Sequence, residues 1–220
     1  MSDDTATATA TERLHLADWR RRVAELYAEV RAVGATDPAA ARATWAAVRE
    51  AMYRNHPSSP VLPAERATFR ARHWAYDDRL RFTVAVEAPP PVSGLGAIAG
   101  LDLPNSGADV LAFDRVGSVR LPLPDGEVSI SLFWMRGYTG GLFLPLRDET
   151  SGDETYGAGR YILDTGKGAD LGSNPDAGTI VVDLNFAFQP SCAFDPRWAC
   201  PLAPPENRLV ARIEAGERLR

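Results

Sequence analysis

The spacing of apolar residues changes once along this chain, near Pro57, and that change restricts the fold more than any other feature. Before it, Trp19, Val23, Leu26, Tyr27, Val30 and Val33 recur at helical spacing. They therefore share one face of a helix over 12–33. Gly34 is a natural stop, and Asp37 followed by Pro38 starts a second helix. Aspartate accepts a free N–H of the first turn there, and proline lacks an N–H that would have no partner anyway. The second helix runs to about Arg54 on a stripe of Ala41, Trp45, Val48 and Met52. Asn55-His56-Pro57 ends it, because the residue before proline is driven out of the helical region. The short connection makes the two helices an antiparallel hairpin.

After Pro57 the period falls to two. Leu80, Phe82, Val84 and Val86 alternate with Arg81, Thr83, Ala85 and Glu87, the pattern of a half-buried strand. Val128, Ile130, Leu132 and Trp134 alternate in the same way, and so do Ile180, Val182, Leu184, Phe186 and Phe188. Further strands are expected at 67–76, 109–114, 116–123, 141–146, 158–164 and 208–214. Turn residues such as Pro124-Asp125-Gly126 and Asn174-Pro175-Asp176 separate them. Many short strands without long helices between them pair antiparallel. The expected fold is mainly β with an N-terminal helical hairpin (α+β), its antiparallel sheet barrel-like or a sandwich, with the barrel favoured. The expected division is a disordered tail over 1–11, the hairpin over 12–56 and a β-rich domain over 57–220.

Charge and composition narrow the function classes. The net charge is −5, so a broad basic face for nucleic acid is not expected. Arg20, Arg21 and Arg22 stand among Glu25 and Glu29 and read as a solvated helix face. Met1 to Thr11 has no apolar core of the secretory kind, and no run approaches the roughly 18 apolar residues of a membrane span. The expected compartment is the cytoplasm, where Cys192 and Cys200 are reduced structural thiols. Their separation matches no common zinc spacing. His15, His56 and His73 include no pair four apart, so no metal site is expected. Gly94, Gly96 and Ala99 have dinucleotide-loop spacing, but Pro89-Pro90-Pro91 stands where the strand should be. Gly166-Lys167-Gly168 lacks the rest of a phosphate loop, and no serine sits in a nucleophile elbow. No cofactor follows from the residues.

The last third carries a longer pattern. It runs Leu144-Pro-Leu-Arg-Asp148, Thr150-Ser-Gly, Thr155-Tyr-Gly-Ala-Gly-Arg160-Tyr161, Asp183-Leu-Asn185-Phe-Ala, Pro190-Ser-Cys192-Ala-Phe, Trp198-Ala-Cys200-Pro201, Pro204-Pro-Glu206-Asn207 and Ala215-Gly-Glu217. These words, in this order, resemble the bacterial family catalogued as domain of unknown function 1684. Asn55-His56-Pro57-Ser-Ser-Pro60 is similar to that family's loop after its N-terminal helices. The resemblance implies no established activity. Where the family often has Tyr-Asn-Pro, this chain has Phe188-Gln189-Pro190, so a mechanism that needs a phenol there is in doubt.

Read physically, the 179–188 strand has Ile180, Val182, Leu184, Phe186 and Phe188 on one face. Asp183 and Asn185 lie side by side on the other. If that strand meets the one near 158–164, Arg160 is a natural partner for Asp183. One account is a structural ion pair. The other is a polar pocket, with Asp183 or Glu206 as catalytic candidates and Arg160, Asp183, Asn185, Glu206 and Asn207 as ligand-binding candidates. The functions that follow are a small-molecule site, a structural or protein-interaction module, and a thiol redox protein using the two cysteines.

Overall fold

The structure is a computed structural model of the 220-residue chain, and it describes residues 9–88, 101–103, 111–138 and 140–219. The expected tail, through Ala8, and the Gly94–Ala99 motif lie outside the described residues. Helix α1 spans Ala10–Gly34 and helix α2 spans Pro38–Asn55. Thr9 opens α1 through a capping box: its hydroxyl accepts from Glu12 N at 3.2 Å, and Glu12 Oε2 accepts from Thr9 N at 2.7 Å. Asp37 caps α2 by accepting from Ala40 N at 2.9 Å. The strands follow as β1 (Arg72–His73), β2 (Arg81–Ala85), β3 (Leu101–Leu103), β4 (Leu111–Leu123), β5 (Gly126–Met135), β6 (Leu142–Leu146), β7 (Arg160–Asp164), β8 (Ser173–Asn174), β9 (Thr179–Asp183) and β10 (Glu217–Arg218).

The described strands form three antiparallel sheets, ordered β3-β4-β5-β6-β7, β2-β9-β8 and β1-β10. The α+β expectation holds. The favoured barrel does not: the sheets stack in a sandwich-like way and do not close. The described part of the expected 109–114 strand, from Leu111, and the expected 116–123 strand belong to one strand, β4, bent where its register shifts between Arg115 and Gly117. A bulge of this kind disturbs the alternation, which is why the sequence reads as two strands. Gly117 serves the bend, since a Cβ there would lie 2.5 Å from Glu87 O. The expected strand over 208–214 does not form; the segment bends at Val210 and Ala211 and is joined to Arg147 by a bridge at Arg208.

One core joins helices and sheets. Leu26, Tyr27, Val30, Ala41 and Trp45 pack with Val119, Leu121, Ile130, Leu132, Leu144, Ile162, Ile180 and Val182. Trp45 is fully buried, donates Nε1–H to Tyr27 Oη at 3.2 Å and meets Phe186 edge-on at 5.4 Å. Burying such an indole stabilises the fold by about 3 kcal/mol. Trp19 is half-buried and stacks on Tyr53 at 5.8 Å. Among the described residues, no helix is long and apolar enough to cross a membrane.

Candidate functional site

Arg160 and Asp183, expected as a pair, have other partners. The physical reason is where β9 ends. The 179–188 alternation holds only to Asp183, whose Oδ1 accepts from Asn185 N at 3.0 Å and caps a 3-10 turn over Leu184–Phe186. The side chains of Asp183 and Asn185 do meet, through Asn185 Nδ2 at 2.8 Å, but by way of that turn. The basic partner of Asp183 is Arg81, its cross-strand neighbour on β2, at 3.1 Å. Burial pushes the Asp183 carboxyl up, against the opposing pull of Asn185 and Arg81. Asn185 then spans to Asp77, accepting its N–H at 2.9 Å and donating to its carbonyl at 2.8 Å. The buried Arg42 of α2 ties Asn185 O to Trp74 O, at 3.2 and 3.1 Å.

Arg160 heads a second network. Its partner is Asp148 at 3.4 Å, and both side chains are wholly buried. The guanidinium also donates to the carbonyls of Ile213 at 2.9 Å, Glu217 at 3.2 Å and Ala215. Asp148 accepts from Ile213 N at 2.7 Å and from the Thr150 hydroxyl at 2.9 Å. This pair therefore holds the chain from Ile213 to Glu217 against β7. Gly216, at φ +75°, lets that segment pass Ala187, whose carbonyl oxygen would lie 2.3 Å from a Cβ at this position.

Of the other candidates, Glu206 is exposed, and Asn207 is buried and structural. Asn207 accepts from Ser131 N at 2.7 Å and donates to Ser131 O at 2.9 Å and Pro145 O at 2.8 Å. Its amide thus stands in for a strand neighbour beside β5. The cysteines are buried and no disulfide joins them; Cys192 N donates to Cys200 Sγ at 3.4 Å. The Cys192 contact and burial push the Cys200 thiol up, away from the reactive thiolate.

Arg49, which the sequence did not single out, forms a third network with Glu217. Glu217 pairs with Arg49 of α2, both nearly buried. The Arg49 guanidinium lies over the rings of Tyr53 at 4.5 Å, Phe188 at 4.8 Å and Trp45 at 5.5 Å. Gln189 N donates to Glu217 Oε2 at 2.8 Å. Phe188 and Gln189 thus both contact this ion pair. His73 Nε2 is 3.9 Å from Glu217 Oε1, too far for a hydrogen bond, and it has no protein partner among the described residues. Burial, opposed by Glu217 and aided by Arg42 and Arg49, lowers the His73 pKa to about 4. The unfolded chain therefore takes up this proton first as pH falls. The contribution of His73 is full above about pH 6.5 and falls by about 1.4 kcal/mol per unit down to about pH 4. Urea unfolding across that window should show a shallower acid slope in His73→Gln than in the parent. Equal slopes would refute the assignment.

The first two networks back the walls of one groove of about 1060 Å³. Trp74 to Leu80 form one wall, Val210 to Glu214 another, and the β4–β5 hairpin with Glu149 the rest. Asn185 fixes the first wall through Asp77, and Asp148 with Arg160 fixes the second through Ile213. Carboxylates predominate: Asp77, Asp78, Asp125, Glu127, Glu149 and Glu214 face only Arg79 and Arg212. Both arginines are matched, by Asp77 at 2.7 Å and Glu214 at 2.6 Å. No basic side chain lies within 4.0 Å of Asp78, Asp125 or Glu149 among the described residues, although Arg79 is near enough to feel the charges of Asp78 and Asp125. Tyr76 carries a buried hydroxyl with no protein partner among those residues, its pKa raised to about 12 by burial first and then by Asp183. It therefore stays a neutral donor. The sequence carries no local signal for this groove, because its walls come from distant segments. Among the described residues, no group of three or more His, Cys, Asp or Glu side chains is placed to hold a metal ion.

A family model described as a protein of unknown function (DUF1684) matches residues 70–218. Among solved structures, the chain is similar to the uncharacterized protein from gene locus rrnAC0354 of Haloarcula marismortui, determined by solution NMR. The identity is 25%, with 79% of this chain and 89% of that chain covered, at a TM-score of 0.57. No curated protein matches the chain.

Proposed function

The chain belongs to the DUF1684 family, whose description names no activity, and from the groove itself we propose that it binds a small cationic molecule, an amine. The observation that carries this reading is the surplus of unmatched carboxylates, Asp78, Asp125 and Glu149, in a large groove whose walls are held from behind. A groove lined by one sign of charge concentrates ligands of the other. Rigid walls reduce the ordering that binding requires. Tyr76 adds a neutral hydroxyl and Trp74 an apolar wall, as small-molecule sites commonly have. In this reading Arg160, Asp148, Asp183 and Asn185 position the walls and do not touch the ligand. The proposed compartment is the cytoplasm, with no nucleic-acid partner.

Thermal-shift and calorimetric titration against mono- and polyamines test it, with carboxylic acids as controls. An amine should raise the melting temperature and bind more weakly as salt is added. Asp78→Asn combined with Glu149→Gln should weaken it about tenfold, with the free protein's melting temperature unchanged. No amine binding, or binding indifferent to both substitutions, would overturn the proposal.

A further inference from the structure

The geometry points to a second groove in this chain, for a small monocarboxylate with an aromatic body, between the first turns of α1, the 57–66 loop and Trp198. It goes beyond the proposed amine site and shares no lining residue with it. Its volume is about 570 Å³, within the range of sites that hold small organic molecules. Leu16, Pro57, Pro63 and Trp198 line it. An indole and two proline rings offer flat apolar faces against which a planar ring packs.

Among the charged lining residues, three arginines, Arg13, Arg66 and Arg197, stand against one carboxylate, Glu12. Arg13 and Arg66 line the groove, and neither has a carboxylate within 4.0 Å among the described residues. Arg197 is matched by Asp195 at 2.7 Å; Glu12 keeps its charge but turns its Oε2 to Thr9 in the capping box of α1, which leaves Arg13 and Arg66 as the cations in excess. Arg66 is held in place. Its Nε donates to Val61 O at 2.9 Å, and its Nη2 donates to Ser59 O at 3.1 Å and Pro57 O at 3.3 Å. Those bonds fix the guanidinium plane and leave Nη1 with no protein acceptor among the described residues. Carbonyl oxygens satisfy hydrogen bonds but bring no net charge, so the cation remains to be neutralised. A fixed guanidinium with an open edge suits a carboxylate, and holding it beforehand lowers the entropy lost on binding. Apart from Arg197 and Trp198, every lining residue precedes residue 70, where the family match begins.

Isothermal titration of the full chain with naphthalene-2-acetate, beside the neutral 2-naphthaleneethanol, tests this. The acid should bind, and the alcohol should bind at least about tenfold more weakly. Arg66→Gln should lose that preference. Because Arg66 also ties the loop, Arg13→Glu on the exposed face of α1 provides an independent arm. It should weaken the acid about tenfold while leaving the alcohol's affinity and the melting temperature unchanged. Trp198→Ala should weaken both compounds. Equal affinity for acid and alcohol, absence of binding, or an acid affinity that survives Arg13→Glu would overturn the inference. So would self-association in sedimentation that covers Leu16 and Trp198, which would make the occupant a second copy.

Discussion

Arg160→Met should lower the unfolding free energy by about 3–5 kcal/mol, the usual loss when one member of a buried ion pair is removed. Asp148 would remain wholly buried without its counter-charge. The carbonyls of Ile213 and Ala215 would lose the Arg160 donor at the same time, and Glu217 O would keep only Gln189 Nε2. Urea unfolding reads this as a shift of the midpoint at unchanged slope. Arg160→Lys should recover little, because an ammonium cannot reproduce a planar fork serving four acceptors. A loss below about 1 kcal/mol for Arg160→Met would show that the network is not the clamp described here. If the clamp holds the groove wall, the same variant should also weaken amine binding, although Arg160 does not line the groove.

Glu217→Gln should be comparably severe, at about 3–5 kcal/mol. It strands Arg49 among Tyr53, Phe188 and Trp45 with no carboxylate. The double variant Glu217→Gln with Arg49→Met separates charge from packing. Removing both charges of a buried pair is often close to neutral, so the double variant should be more stable than Glu217→Gln alone. Additive losses in that cycle would instead mean that Arg49 acts through packing on the rings and not through Glu217. The outcome also bears on how the helical hairpin is held, since Arg49 lies on α2 and Glu217 on β10.

The helices were legible because their signals are local. Asp37-Pro38, Gly34 and the 3.6 spacing lie within a few residues of what they determine, and α1 and α2 begin and end within a few residues of the expected limits. The strands over 80–87, 128–134 and 141–146 were legible from their alternation for the same reason. Legibility failed where the backbone leaves its period. The bulge after Arg115 split β4 in the reading, and the turn at Asp183 cut the expected 179–188 strand short. The candidate residues were a mixed case. Arg160, Asp183, Asn185 and Asn207 are buried polar groups in networks, yet Arg160 is bonded to Asp148 and Asp183 to Arg81.

By itself, then, the sequence determined the class of fold, the hairpin, most strand positions and which side chains would need partners. Periodicity, caps and the penalty on an unpaired buried charge are properties of short segments or single groups. Only the tertiary structure decided who the partners are. Arg81 meets Asp183 because β2 and β9 align in that register. Arg160 meets Asp148 because β7 lies beside the chain that leaves β6, and its guanidinium also reaches the returning 213–217 segment. Pairing across tens of residues depends on register and on where each strand stops, and both are set by the packing of the whole core. The groove is the extreme case: Asp78, Asp125 and Glu149 stand far apart in the chain, and only the fold brings them to one surface.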